Sequence, residues 1–281
     1  METVVKILTM TLKITAIVFV MMVVIEYIQL RFHRQMRRGL TGPIWLQCLV
    51  AAGLGAIPGC AGTFLVVSLY MRGLVGFGAL TAATIATAGD GAFVLLAEAP
   101  QTAPLILGLC GVIGVLAGLA AEAIVRKYNI PLCQECRPEV HDEDLHAPAG
   151  SPMHFIREHV YHHIIRGHLP SLFLWLLGAL AAVELLQPYL QVEQLPVGPV
   201  ALVLIAAAIG ILPESGAHLA FVLLYAKGQI PLSVLLTISV VQDGHGLIPL
   251  LSASLRDSIY VKVVNFVVGL VVGLAALALG Y

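Results

Sequence analysis

The chain has 281 residues, of which 59% are apolar and only 11% are charged, and its formal net charge is −1. Soluble globular domains carry about a quarter charged residues, so this composition argues against a soluble domain. The mean hydropathy is +0.95, and the apolar residues form long runs. Such runs are typical of a polytopic helical membrane protein, whereas a barrel would show short alternating strands. No basic patch indicates a nucleic-acid partner.

The first half begins with a full-length apolar span over 7–30, followed by the basic loop 31–38. The next apolar stretch, 44–71, is broken at Pro58 and Gly59. Each arm then has only about 12 residues, fewer than the ~20 that a spanning helix needs. The two arms therefore form either two short crossings or one re-entrant hairpin.

A second break follows in the apolar stretch 74–97, where Gly89, Asp90 and Gly91 interrupt it, and a closing span covers 104–125. Proline cannot donate a backbone hydrogen bond, and glycine permits conformations that unwind a helix. At membrane depth the freed carbonyls must be satisfied, which a bound cation or a trapped water can do. The breaks are therefore candidate sites.

The polar segment 128–167 separates the two apolar halves, and seven of the ten histidines lie between 141 and 168. Its cysteines and histidines have zinc-like spacing, and two further histidines are four residues apart. The alternative is a solvated loop with incidental histidines. The candidate linker ligands are Cys133, Cys136, His141, His146, His159 and His163.

The second half repeats the first at a constant shift of 155 residues, with 13 of 46 positions identical over 51–96. That identity is modest in so apolar a chain, but the breaks coincide. Pro58 corresponds to Pro213, Gly89 to Gly244, and Gly91 to Gly246. The sequence thus predicts an internal duplication, with a first repeat over 1–127, a linker over 128–167 and a second repeat over 168–281.

Charge predicts that the two repeats have opposite orientations. The loop 31–38 contains four arginines, whereas its counterpart 187–196 contains no basic residue. Arginine-rich short loops lie on the cytoplasmic side. We therefore expect an outside N-terminus and a cytoplasmic linker. The predicted fold is an all-α membrane protein of about ten segments, arranged as two inverted five-segment repeats.

Ionisable residues are concentrated at the breaks of the second repeat, where burying charge in a membrane indicates function. Carboxylates and imidazoles together suit divalent Mn, Fe, Co or Zn. The predicted substrate ligands are Glu214, Ser215, His218, Gln242, Asp243 and His245, with Asp90 from the first repeat. The predicted helix breaks are Pro58, Gly59, Gly89, Gly91, Pro213, Gly244 and Gly246.

Three other functions remain open at this point. An arsenic or other oxyanion carrier would use helix N-termini, which favour anions. An intramembrane metalloenzyme would use the same ligands, although no His-Glu-x-x-His motif occurs. A metal sensor would act through the linker without flux. No phosphate-binding Gly-x-x-x-x-Gly-Lys-Ser/Thr loop occurs, so ATP is not expected to drive transport directly.

The two second-repeat stretches 213–218 and 242–246, with their weaker first copies at Pro58 and Asp90, resemble a family of bacterial and archaeal ten-helix heavy-metal exporters. Members are variously labelled manganese transporters or arsenic efflux proteins. The resemblance implies ten helices and metal export. Together with the residues, it predicts a non-enzymatic, proton-coupled exporter of a divalent metal, with Mn²⁺ first, in a prokaryotic inner membrane. No tightly bound cofactor is expected, and a homo-oligomer is an open alternative.

Overall fold

The computed structural model describes residues 2–39, 42–130, 160–161, 164–166, 169–186, 198–212 and 215–281. All secondary structure over these residues is helical, which confirms the predicted all-α class. The candidate linker ligands all lie outside the described residues, and so do Pro213 and Glu214. The predicted linker site therefore stays a prediction.

The first half contains one long helix, four short helices and a second long helix. These are α1 (Glu2–Gly39), α2 (Ile44–Ala56), α3 (Ala61–Met71), α4 (Phe77–Ala86), α5 (Gly91–Glu98) and α6 (Ala103–Tyr128). Every one of them is rich in apolar residues, so tertiary packing and lipid, rather than a polar face toward water, determine how they are placed.

The second half has the same sequence of elements. They are α7 (Leu169–Leu186), α8 (Pro199–Gly210), α9 (Ser215–Ala226), α10 (Leu232–Val241), a 3₁₀ turn (Gly244–Leu247), α11 (Ile248–Ala253) and α12 (Leu255–Ala278). The helices α2, α3 and α4 return as α8, α9 and α10 at the predicted shift of 155 residues, within one residue at each end.

Five segments among the described residues are long and apolar enough to cross a membrane, which confirms a polytopic membrane protein. Two of them are the broken pairs α4–α5 and α10–α11, and these are far more buried than the other three. The segments are Ile7–Val24, Phe77–Glu98, Ala103–Tyr128, Leu232–Leu251 and Leu255–Ala278. The broken spans thus lie in the protein interior, whereas the unbroken ones leave most of their apolar residues at least partly exposed.

The structure favours a re-entrant hairpin for the two short arms α2 and α3. They have 13 and 11 residues, or roughly 20 Å and 17 Å of helix, well short of a ~30 Å hydrocarbon core. The Cα of Gly62 lies against the backbone carbonyl of Leu54, leaving no space for a side chain. Residues on either side of the break can approach this closely only if the chain turns back on itself.

Glycines allow the broken spans to approach the closing spans in both halves. In the first half, Gly114 of α6 lies against the Ala82 carbonyl of α4. In the second half, Gly273 of α12 lies against Thr237 of α10, the residue that corresponds to Ala82. Close backbone approach through small residues is a standard way to pack helices in lipid. Glycines of the closing span therefore pack against the broken span in both repeats.

One contact bears on the predicted inversion of the second repeat. The Tyr70 hydroxyl donates a 2.8 Å hydrogen bond to Asp257 Oδ2. Tyr70 lies shortly before the broken span Phe77–Glu98, whereas Asp257 lies shortly after the corresponding span Leu232–Leu251. The contact brings the start of one broken span close to the end of the other. This supports opposite directions for the two spans, although the inversion of the whole repeat stays a prediction.

We expect Gly118→Ala to destabilise the fold, because a Cβ at this position would collide with the backbone carbonyl of Gly78. Backbone atoms cannot rotate away, and overpacking typically costs about 1–3 kcal/mol. Gly111→Ala, in the same helix, is the matched control, since nothing lies within 4 Å of its Cβ position. Thermal unfolding in detergent checks the prediction. Equal melting temperatures for the two variants would contradict it.

Candidate functional site

The described breaks lie where the sequence predicts them, between short helices. The first separates α2 from α3, and Gly59 adopts a φ of +96° there. The others separate α4 from α5 and α10 from the 3₁₀ turn, with Gly89 at +50° and Gly244 at +54°. These positive φ values are readily adopted by glycine and cost other residues energy. The corresponding glycines thus produce the same backbone turn in both repeats.

Hydrogen bonds join the breaks to one another. Gly59 donates its backbone N–H to the Gly89 carbonyl over 3.1 Å, which connects the two breaks of the first repeat. Gln242 Nε2 donates to the Thr87 carbonyl over 2.8 Å, which connects the second repeat to the first. Thr87 and Gln242 are themselves 155 residues apart and correspond in the duplication. The breaks therefore gather in one interior region.

A pair of reciprocal contacts links the repeats at this region. Gly91 lies directly against the imidazole Nδ1 of His218, so that a Cβ there would overlap the ring. Gly246 lies against the Thr63 side chain, whose Cγ2 would be 2.6 Å from a Cβ. Gly246 corresponds to Gly91, and His218 corresponds to Thr63. Each repeat thus packs its hairpin helix against the break glycine of the other.

His218 is buried at this contact, with 1% of its surface exposed. Its Nε2 lies 3.1 Å from the Ser239 hydroxyl, which fixes the ring orientation. Its Nδ1, facing Gly91, has no hydrogen-bond partner in the described part of the chain. A buried polar atom without a partner costs free energy and calls for an explanation. An imidazole nitrogen held in this way can accept a proton or bind a metal ion.

Asp243 is the most deeply buried carboxylate of the site, with no exposed side-chain surface. Its Oδ1 accepts a 2.6 Å hydrogen bond from the ammonium Nζ of Lys262 on α12. Among the residues that the structure describes, its Oδ2 has no hydrogen-bond partner, and neither does Oε1 of the neighbouring Gln242. His245 lies close enough to Asp243 to interact with it electrostatically. The second-repeat break thus presents two oxygen ligands without hydrogen-bond partners.

Lys262 is the site residue that the sequence analysis missed. It lies within the closing span Leu255–Ala278, where an ionisable residue is a functional candidate by default. Its counterpart in the first repeat is Leu107. A comparison of the repeats identifies positions that carry similar residues in both, so it does not identify Lys262. A search of each span for lone charges would have found it.

The remaining predicted ligands are placed as follows. Asp90 is buried and immediately precedes α5, next to the Gly91 contact. Ser215 is the first residue of α9, and Glu214 lies outside the described residues. Within the described part of the chain, no three His, Cys, Asp or Glu side chains form a group that could hold a metal ion. The full predicted ligand set therefore stays a prediction.

The chemistry of the region can nevertheless be stated. It combines a buried carboxylate, a buried imidazole and an amide oxygen, which are ligands for borderline-to-hard divalent cations. Broken helices at matching positions of two repeats are the usual setting of a transporter's central site. Fold and site together define the class: a polytopic helical membrane protein with a polar interior site at paired helix breaks.

Comparison with known families agrees with this class. Residues 2–185 match the family described as "Putative, 10TM heavy-metal exporter", and the chain belongs to that family. The match includes the first repeat and α7 and stops before His218 and Asp243. No curated protein matches the chain, and no solved structure matches it. At the level of the family, the protein is a heavy-metal exporter.

Proposed function

We propose that the protein is a secondary active transporter that exports a divalent transition metal, with Mn²⁺ as the first candidate. The metal ion binds at the gathered breaks through Asp243, His218 and Gln242, joined by Glu214, His245 and Asp90. Rocking of one repeat against the other exposes this site to the two sides of the membrane in turn. The metal is cargo rather than a resident cofactor.

The observation that carries this proposal is the reciprocal packing of Gly91 against His218 and Gly246 against Thr63. At this contact between the repeats lie the His218 Nδ1 and Thr63 Oγ1 atoms, which have no hydrogen-bond partner among the described residues. A relative movement of the two repeats must then change the surroundings of those atoms. Such a coupling between site and movement is what alternating access requires.

Proton exchange is the proposed source of energy. The site contains an imidazole and carboxylates. Groups of these two types can exchange protons near neutral pH when their surroundings bring their pKa values into that range. The arginines predicted to form a loop after the first span lie instead at the C-terminal end of α1 (Glu2–Gly39). By the positive-inside rule they favour an N-terminus outside a prokaryotic inner membrane and a linker in the cytoplasm. In this orientation, the protein would move the metal from the cytoplasm, where the linker lies, to the side of the N-terminus.

Proteoliposomes loaded with a metal-sensitive dye test the proposal directly. We expect uptake of Mn²⁺ above that of protein-free vesicles, accompanied by a pH change of the lumen, with Zn²⁺, Fe²⁺ and Co²⁺ tested in parallel. A pH gradient of the appropriate direction should accelerate the flux. Absence of flux for every divalent metal, in vesicles that contain folded protein, would contradict the proposal.

An oxyanion carrier is the second candidate, and Lys262 is the observation that favours it. A partly buried ammonium can bind an anion. However, the Lys262 charge is already neutralised by Asp243, so the pair offers no net positive charge. Arsenite and arsenate belong in the same proteoliposome panel, and flux of these ions without flux of any metal would favour this function.

A further inference from the structure

The ion pair between Lys262 and Asp243 differs from an ion pair that serves packing alone. Only Oδ1 of its carboxylate is hydrogen-bonded among the described residues: Oδ1 accepts from the Lys262 ammonium, whereas Oδ2 has no partner there. The pair Glu122–Arg126 provides the contrast. There, Oε1 accepts from Arg126 and Oε2 accepts from the backbone N–H of Gly78, each over 2.9 Å. The Glu122 carboxylate is thus bonded on both sides.

The two partners of the buried pair also differ in how firmly the fold holds them. The Asp243 side chain has no exposed surface, whereas 13% of the Lys262 side chain is exposed. Asp243 lies at a helix break against the other repeat, whereas Lys262 reaches the site from α12 on a flexible four-carbon stem. The carboxylate is therefore fixed in the interior, and the ammonium is the partner that can withdraw.

A carboxylate buried at this depth needs a positive partner, because an uncompensated charge in the interior is strongly unfavourable. A cation that reaches Asp243 from solution satisfies the same need. A cation bound at the open Oδ2 would lie beside the ammonium on Oδ1, and the two positive charges would repel each other. Substrate and Lys262 must then compete for one carboxylate. Because the ammonium is covalently attached to α12 through the lysine side chain, its effective concentration at the carboxylate is high.

We propose that Lys262 is a tethered surrogate cation that occupies the metal position at Asp243 and makes the site selective for divalent over monovalent ions. The proposal rests on the proposed function, since it assumes that Asp243 binds the transported cation. A monovalent ion at the same distance gains no more Coulomb energy than the ammonium that it displaces. A divalent ion gains about twice as much, so it can displace the ammonium and still bind.

The same competition provides a way to release the metal. When the site opens to the far side, the returning ammonium takes back the carboxylate and lowers the affinity for the metal. Lys262 is therefore a positioning and specificity residue, whose removal should tighten binding while slowing release.

Equilibrium binding of Mn²⁺ to the purified full chain tests the proposal, with Na⁺ and K⁺ as competitors. We expect Lys262→Gln to bind Mn²⁺ roughly 10-fold or more tightly than the wild type, because a competing charge is gone. Monovalent ions at physiological concentration should displace Mn²⁺ from Lys262→Gln and not from the wild type. Lys262→Arg keeps the charge and should keep wild-type selectivity. Arg126→Gln, at the other ion pair, is the matched control and should bind as the wild type does.

Stability is the second readout, because Lys262→Gln leaves the Asp243 charge without its partner. We expect the melting temperature of this variant to depend strongly on Mn²⁺, because the bound metal replaces the positive partner of Asp243 and restores the lost stability. A Lys262→Gln protein that fails to fold even with Mn²⁺ contradicts the proposal. Unchanged Mn²⁺ affinity and no monovalent competition also contradict it, and Lys262 then serves packing only, while the proposed function stands. Folded wild-type protein that binds no divalent metal overturns the proposed function and this inference together.

Discussion

Asp243→Asn is expected to lower metal transport by roughly 100-fold or more, which corresponds to about 2.8 kcal/mol. Asparagine keeps the shape of the side chain and can still accept a hydrogen bond from Lys262, but it lacks the charge that binds a divalent cation. Asp243 has no exposed surface, so water cannot replace the missing charge. Initial rates of Mn²⁺ flux in proteoliposomes, normalised to the amount of folded protein, provide the measurement.

Two controls separate this effect from loss of structure. Asp257→Asn also neutralises a buried carboxylate and keeps the acceptor for Tyr70, but Asp257 lies at the end of α12 away from the breaks, so it should retain transport. The double variant Asp243→Asn/Lys262→Gln removes both charges and should fold as the wild type does without regaining flux. Normal transport by Asp243→Asn would contradict the proposed site, and so would equal losses in Asp243→Asn and Asp257→Asn.

Gly91→Ala is expected to lower transport by roughly 10-fold or more and to destabilise the protein by about 1–3 kcal/mol, the usual range for overpacking. The added Cβ would overlap the His218 ring. The ring cannot move without losing its contact with Ser239. The change therefore disturbs the contact between the repeats and the imidazole at once. Metal flux and the melting temperature are the two measurements.

Gly53→Ala is the matched control for this substitution, because nothing lies within 4 Å of its Cβ position and alanine favours helix over glycine. It should retain both stability and flux. In a His218→Ala background the added Cβ meets no ring, so Gly91→Ala should cost less stability there than in the wild type, whereas flux should stay low because the imidazole is missing. Wild-type flux and stability in Gly91→Ala would show that the contact is not needed.

Breaks such as those at Gly59, Gly89 and Gly244 can be inferred from the sequence because glycine and proline act locally. A glycine with positive φ at Gly89 or Gly244 is a property of a few adjacent residues, so it can be read without knowing the fold. The apolar runs likewise predicted a membrane protein, since apolar runs of this length form stable helices in lipid, where every backbone polar group is bonded within the helix. Whether the two short arms around Pro58 cross the membrane could not be read locally. The contact between Gly62 and Leu54 shows that the two arms turn back on each other, and their lengths of 13 and 11 residues favour the re-entrant hairpin over two crossings.

The partners of the candidate ligands could not be predicted, because they come from distant parts of the chain. Nothing near Asp243 in the sequence points to Lys262, which lies two helices further on, and His218 meets Gly91 only through the packing of the two repeats. The metal ligands Glu214 and His245 were proposed from spacing, and their part in the site stays a prediction.

The sequence by itself indicated the class of protein, the duplication at 155 residues and the positions of the breaks. The class follows from composition, the duplication from residues that recur at a constant spacing, and the breaks from glycine and proline, which act on the backbone locally. Only the tertiary structure decided that the breaks gather in one region, that each hairpin packs against the other repeat's glycine, and that a lysine neutralises the central carboxylate. These features depend on how close helices approach one another, and that distance is determined by packing between residues far apart in the chain.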